Sequence, residues 1–208
     1  FFVMNPTIIP NDDSIKKPFV EVEKESEENH FVCESIKERC LKYSPKVTFL
    51  RAAIENLGCE FPTENFVCEP CNLTITGGFS LKGEKGGLPM PKITLCENIE
   101  IMKEKRVMES TMVHELVHAY DTCRAKLDFK NCLHHACTEI RAANLSGECA
   151  WKMEFDRGNY DFKRQQEKCI KRRAALSMKE NDSCSEKIDE FIETAFPFCS
   201  KDDSPFDM

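Results

Sequence analysis

The sequence predicts an α+β fold, a mostly helical body with a small β-sheet or hairpin ahead of one central helix, stapled by disulfides. Three observations carry this. Apolar residues recur at helical spacing before residue 58 and again from about residue 100 onward. Between them, residues 59–98 hold prolines, five of the eight glycines and short β-branched runs. The 13 cysteines are spread from Cys33 to Cys199. A metal cluster would bunch them; staples between elements spread them, and such abundance points to an oxidising compartment.

In chain order, residues 1–24 read as an extended N-terminal arm, dotted with Pro and Asp. A helix over 25–43 follows, with Phe31, Ile36 and Leu41 among its buried candidates. Cys33 and Cys40 lie on one face of it, about 10 Å apart along the axis, so each must reach another element. Ser44-Pro45 stops that helix, and a second over 46–56 ends at Gly58. Two strands, 73–76 and 92–95, are expected to pair antiparallel, with Gly77-Gly78 and the 83–87 stretch between them. Helices are expected at 103–124, 133–147, 160–177 and 184–196, with Gly147 capping the second of these. The expected organisation is one domain over 25–200 and a polar tail over 201–208.

Charge and composition exclude some functions. Lys+Arg is 29 against Asp+Glu 36, a net charge of −7, which disfavours a phosphate-tracking nucleic-acid protein. No apolar run approaches the eighteen or so residues of a membrane helix. The basic run Lys163, Arg164, Lys168, Lys171, Arg172 and Arg173 is read as a solvated helix face with intramolecular partners ahead of a lipid-facing one. Sequons at Asn72, Asn144 and Asn181 would carry glycans only in the secretory pathway. Cys68-Glu-Pro-Cys71, with Cys59 and Cys96, leaves a four-cysteine zinc knuckle as the alternative to local disulfides.

The chemistry-bearing segment is Met112-Val113-His114-Glu115-Leu116-Val117-His118-Ala119-Tyr120. In H-E-x-x-H the two imidazoles lie one helical turn apart on one face and can grip one Zn²⁺. Glu115 lies just off that face, placed as general base towards a water beside the metal. The flanking residues are uncharged, so the helix is buried on most sides, where His-Glu-His needs a metal to offset its desolvation. A third ligand is expected. Glu139, 21 residues past His118 on the next helix, is favoured and resembles the arrangement of thermolysin-type proteases. Asp121 sits roughly 4.5 Å further along the axis than His118, which suits it better to holding an imidazole N–H than to ligation. His134 and His135 remain alternatives. Arg141 faces elsewhere and is read as a structural ion-pair partner, and Tyr120 as core.

Beyond the motif, His-Glu-Leu-Val-His-Ala-Tyr-Asp, Cys123-Arg124, the stretch His134-His-Ala-Cys-Thr-Glu-Ile-Arg-Ala-Ala-Asn-Leu-Ser-Gly147 and Cys169-Ile-Lys-Arg-Arg-Ala-Ala-Leu-Ser177 closely resemble the mitochondrial inner-membrane metalloproteases that double as ATP synthase assembly factors. Leu41-Lys-Tyr-Ser44, Gly77-Gly-Phe79, Leu95-Cys-Glu-Asn98 and Pro205-Phe-Asp207 extend the resemblance over about residues 33–207. It implies a zincin-like metalloprotease domain in the intermembrane space, peripheral to the inner membrane or to a complex there, and folded oxidatively. It implies a Zn²⁺ endopeptidase acting on a polypeptide, the precursor of a mitochondrially encoded ATP synthase membrane subunit. It also implies help in assembling the membrane sector without proteolysis. By the resemblance, Glu115 is catalytic and His114 and His118 bind zinc. The competing expectations are a non-catalytic assembly factor or stable complex subunit with a structural zinc, and a secreted disulfide-rich metalloprotease.

Overall fold

The computed structural model describes residues 19–71, 75–82, 90–161 and 163–206. Helix α1 (Phe19–Tyr43) turns at Ser44 into α2 (Pro45–Asn56). The Ser44 hydroxyl accepts from the Val47 N–H, and Pro45 occupies the first turn, where its missing N–H is harmless. Gly58, at φ +85°, ends the pair. The first helix starts earlier than expected, so residues 19–24 are helical and not an extended arm; residues 1–18 lie outside the described set. Phe31 is 75% exposed, contrary to expectation. The buried stripe of α1 runs through Cys33, Lys37 and Cys40, and at 100° per residue Phe31 lies about 160° away from Cys33.

Strands β1 (Phe66–Glu69), β2 (Gly77–Lys82) and β3 (Met90–Cys96) form a sheet in the order β1-β3-β2. The central β3 pairs antiparallel with β2 (Phe79 opposite Ile93) and parallel with β1 (Phe66 opposite Ile93). The expected strand at 73–76 falls partly outside the described residues, and the second strand instead begins at Gly77. Gly77-Gly78, expected as a separator, belongs to β2 because β2 lies directly on the central helix. A Cβ on Gly77 would sit 2.6 Å from Thr111 Cγ2 and 3.0 Å from the Thr94 carbonyl. Strand β1 is only four residues long, too short for alternation to announce it.

The central helix α3 (Lys105–Arg124) packs against α1, α2, β2, β3 and α4 (Cys132–Leu145), and is buried on nearly every side between Val107 and Asp121. Leu50, Ile93, Met112 and Leu116 belong to the core around it. Helices α5 (Trp151–Asp156), α6 (Gln165–Met178) and α7 (Ile188–Cys199) follow. Ile140 of α4, Ile170 of α6 and Ile192 of α7 meet in a second core. At six residues, α5 is too short to show helical periodicity in the sequence. The end of the chain is no free polar tail: Phe206 stacks on Phe49 with centroids 5.2 Å apart, and Asp202 pairs with Arg124 and Arg141.

Among the described residues, six disulfides join Cys33–Cys68, Cys59–Cys123, Cys71–Cys96, Cys132–Cys184, Cys137–Cys199 and Cys149–Cys169. The zinc-knuckle alternative is thereby overturned, since its four cysteines are bonded in three separate disulfides. Cys40 is a buried free thiol and reaches no other cysteine, contrary to expectation; there it acts as a small apolar side chain. Burial pushes it up to about 11, with Glu109 acting in the same direction. The basic run of α6 has intramolecular partners: Lys168 with Asp161, Lys171 with Glu193, Arg172 with Glu154 and Arg173 with Glu148. The side-chain amides of Asn144 and Asn181 donate to the carbonyls of Ser200 and Phe129, so neither presents a free amide to a glycan; Asn72 lies outside the described residues.

Candidate metal centre

His114 and His118 project from the middle of α3, one turn apart, and Glu139 meets them from α4. His114 Nε2 lies 3.4 Å from Glu139 Oε2, and His118 Nε2 lies 3.5 Å from Glu139 Oε1. All three side chains are buried, and their ligand atoms lie within 4.8 Å of one another. His135 also approaches Glu139, with Nε2 3.3 Å from Oε1. Its Nδ1 accepts from the Asn181 amide at 3.1 Å, which leaves the ring proton to Nε2. His134 is exposed and its Nδ1 accepts from the Asp128 N–H.

The two α3 histidines are held in the opposite tautomer. Asp121 accepts from Arg141 Nε at 3.1 Å and from Arg124 Nε at 2.9 Å. Thr138 gives its single hydroxyl hydrogen to Asp121 Oδ2 at 2.9 Å. The Thr138 oxygen therefore accepts from His118 Nδ1–H, also at 2.9 Å. His114 Nδ1 donates to Glu148 Oε1 at 3.0 Å, and Arg173 Nε donates to the other Glu148 oxygen at 2.5 Å. Both Nε2 atoms are thus left facing Glu139. Asp121 acts on His118 through Thr138, at the axial offset its place in the sequence implies. Arg141 is buried and bridges Asp121 to the end of the chain.

Sequence reasoning missed Glu148 and Thr138. Glu148 lies 34 residues from His114, and no local pattern ties the two. Its one visible signal is a lone acid in a small-residue turn, Ser146-Gly147-Glu148-Cys149. Thr138 directly precedes Glu139, so it leaves α4 about 100° round from it, towards the other ring nitrogen.

Burial is the largest single influence on each of these groups, and charged neighbours outweigh it at three of them. It works against charge on both rings. His114, flanked by Glu139 and Glu148, is nonetheless held up at about 10. His118 is pushed down to about 3 by burial, with Glu139 opposing. Against its own burial, Glu139 stays well below the usual carboxylate range because His118, His114 and His135 face it. Arg173 and His114 likewise hold Glu148 down at about 2. Burial lifts Glu115 to about 8. Four buried carboxylate oxygens, both of Glu115 and both of Glu139, make no hydrogen bond among the described residues, and neither does His114 Nε2. Such a cluster is costly unless a cation lies among its members. Two imidazole nitrogens and a carboxylate form a donor set that fits Zn²⁺.

A family model described as the Peptidase M76 family matches residues 31–207. The chain belongs to the peptidase M76 family. The match spans α3, α4 and Glu148, every element that builds the centre. The chain is 35% identical over 178 residues to the mitochondrial inner membrane protease atp23 of Schizosaccharomyces pombe, covering 84% of this chain and 91% of the relative. It is 38% and 39% identical to proteins of the same name from Aspergillus clavatus and Neosartorya fischeri, covering 84% of this chain and 71% of each relative. No solved structure matches the chain. None of the described helices is long and apolar enough to cross a membrane.

Proposed function

We propose that the chain is a zinc-dependent endopeptidase of the mitochondrial intermembrane space, peripheral to the inner membrane. On this reading it processes a mitochondrially encoded ATP synthase membrane subunit and assists assembly of the membrane sector. The names of its relatives support a protease at the mitochondrial inner membrane; the intermembrane space and the ATP synthase subunit rest on the motif resemblance. The chemistry is supported above all by one observation: two Nδ1-anchored imidazoles on one helix face aim their Nε2 atoms at Glu139, beside a Glu115 unpartnered among the described residues.

His114, His118 and Glu139 would hold the ion. Zinc, when bound, supplies Lewis-acid chemistry, polarising a carbonyl and acidifying a water. Glu148 and Thr138 hold the two rings in the tautomer that leaves Nε2 basic. Glu115 takes the proton of the attacking water and returns it to the leaving amine. Gly77 brings β2 against α3, where a Cβ would stand 3.8 Å from Glu115 Oε1. The strand thus lies beside the base, and its outer edge, unpaired among the described residues, suits an extended polypeptide.

The test is Glu115→Gln. The variant should fold, bind about one zinc per chain and lose about 10²–10⁴-fold in cleavage of the precursor. Cleavage at the wild-type rate would end the peptidase reading. Loss of cleavage with full rescue of ATP synthase assembly would make assembly assistance the main role.

A further inference from the structure

Three residues past Glu148, the chain turns outward into a cluster of exposed aromatic rings. Trp151, Phe155 and Tyr160 are 44%, 52% and 58% exposed. Phe155 touches both neighbours, with ring centroids 6.4 Å from Trp151 and 5.0 Å from Tyr160. The platform is rigid: Cys149–Cys169 ties it to α6, and Arg157 donates to the Glu148 carbonyl at 2.6 Å. Large aromatic rings left in water on a fixed surface mark a contact with something apolar. The charges around the rings narrow what that is. Glu154 is buried and paired with Arg157 and Arg172, Asp156 with Arg106, and Asp161 with Lys168. Lys152, Lys163 and Arg164 are exposed and make no ion pair among the described residues. In a chain of net charge −7, this face therefore shows solvent three cations beside neutralised acids. Aromatic rings edged by cations match a lipid interface with anionic headgroups.

We infer that Trp151, Phe155 and Tyr160, flanked by Lys152, Lys163 and Arg164, form the surface by which this protein seats on an anionic membrane. The inference rests on the peripheral-membrane part of the proposed function and is independent of proteolysis. It explains how a chain without a spanning helix among its described residues attaches to a membrane. It also places the segment that carries Glu148 next to the bilayer.

Trp151 is the only tryptophan, so its emission reports on this surface alone. The full chain is mixed with phosphatidylcholine vesicles, with and without phosphatidylglycerol. With the anionic lipid, emission should shift to the blue, brominated lipid should quench it, and high salt should reverse both effects. Phe155→Ser/Tyr160→Ser keeps the probe and should weaken partitioning by at least about ten-fold. Lys163→Gln/Arg164→Gln should weaken it about 20–30-fold, at roughly five-fold per cation. If the wild type binds vesicles with unchanged emission and the variants bind equally well, the surface is refuted while peripheral attachment stands. If the wild type binds no vesicles, both fail. A blue shift that grows with protein concentration without lipid would assign the rings to a second copy of the chain. Lost cleavage of a soluble polypeptide with unchanged vesicle binding would assign them to substrate. Either result overturns the lipid assignment.

Discussion

Glu148→Gln probes the centre without touching a proposed ligand. One oxygen of Glu148 accepts from His114 Nδ1–H and the other from Arg173 Nε–H, and Glu148 is fully buried. A glutamine of the same shape has a single acceptor. Whichever way the amide turns, its NH₂ meets one of the two donors head-on. If it faces His114, the ring loses the contact that sets its tautomer, and zinc affinity should fall about 10–100-fold. If it faces Arg173, a guanidinium only 4% exposed loses its carboxylate. Breaking a buried pair from one side costs about 3–5 kcal/mol, which for a chain of this size lowers Tm by roughly 6–20 °C. One orientation costs zinc affinity and the other costs thermal stability, so at least one of the two must fall. The assay pairs competition against a chromogenic chelator for zinc with a melt of the metal-free protein. A folded variant with wild-type zinc affinity and wild-type melting would refute the claim that Glu148 links Arg173 to His114. The neutral relay offers a contrast: Thr138→Val keeps the volume but leaves His118 Nδ1–H without its acceptor, and should lower zinc affinity by about ten-fold with no loss of a charge pair.

The remaining predictions concern packing and cysteines. Gly77→Ala should destabilise by about 1–3 kcal/mol, because its methyl meets Thr111 Cγ2 at 2.6 Å. Adding Thr111→Ser removes that methyl and should restore part of the loss in a thermal melt; no recovery would mean the clash lies elsewhere. Strong reductant should lower Tm steeply, since disulfides closing loops of 20 to 64 residues each stabilise by roughly 3–4.5 kcal/mol. An unchanged melt would sink the stapled reading. Cys40, raised to about 11, carries roughly 100-fold less thiolate at pH 8 than a thiol at 9. A raised value means less thiolate at every pH below it, so native alkylation should be slow and should rise about ten-fold per pH unit up to 11. Unfolding without reductant should then expose one reactive thiol per chain, counted by mass; fast native labelling at pH 8 would contradict the buried position.

Some of this protein is legible in residue order because the physics is local. Four residues make one helical turn, so His114 and His118 share a face wherever that helix lies, and Glu115 stands beside them. Proline after Ser44 and glycine at 58 and 147 mark helix ends by backbone geometry alone. The uncharged neighbours of the motif announce burial, and the number and spread of the cysteines announce staples. What packing decides could not be read this way. Phe31 is apolar yet faces water, because the buried stripe of α1 is set by the sheet and helix it meets. Gly77 belongs to a strand because α3 leaves no room for a Cβ there. Which cysteines bond, and that Cys40 stays free, depends on distances between elements that no spacing encodes. The same holds at the centre: Glu148 and Thr138 select the tautomers of His114 and His118 from 34 and 20 residues away. The helical repeat placed two imidazoles on one face, but only the crossing of α3 and α4 brought Glu139 between them. Hydrogen bonds that fix a ring's proton act over about 3 Å of space, whatever the distance along the chain.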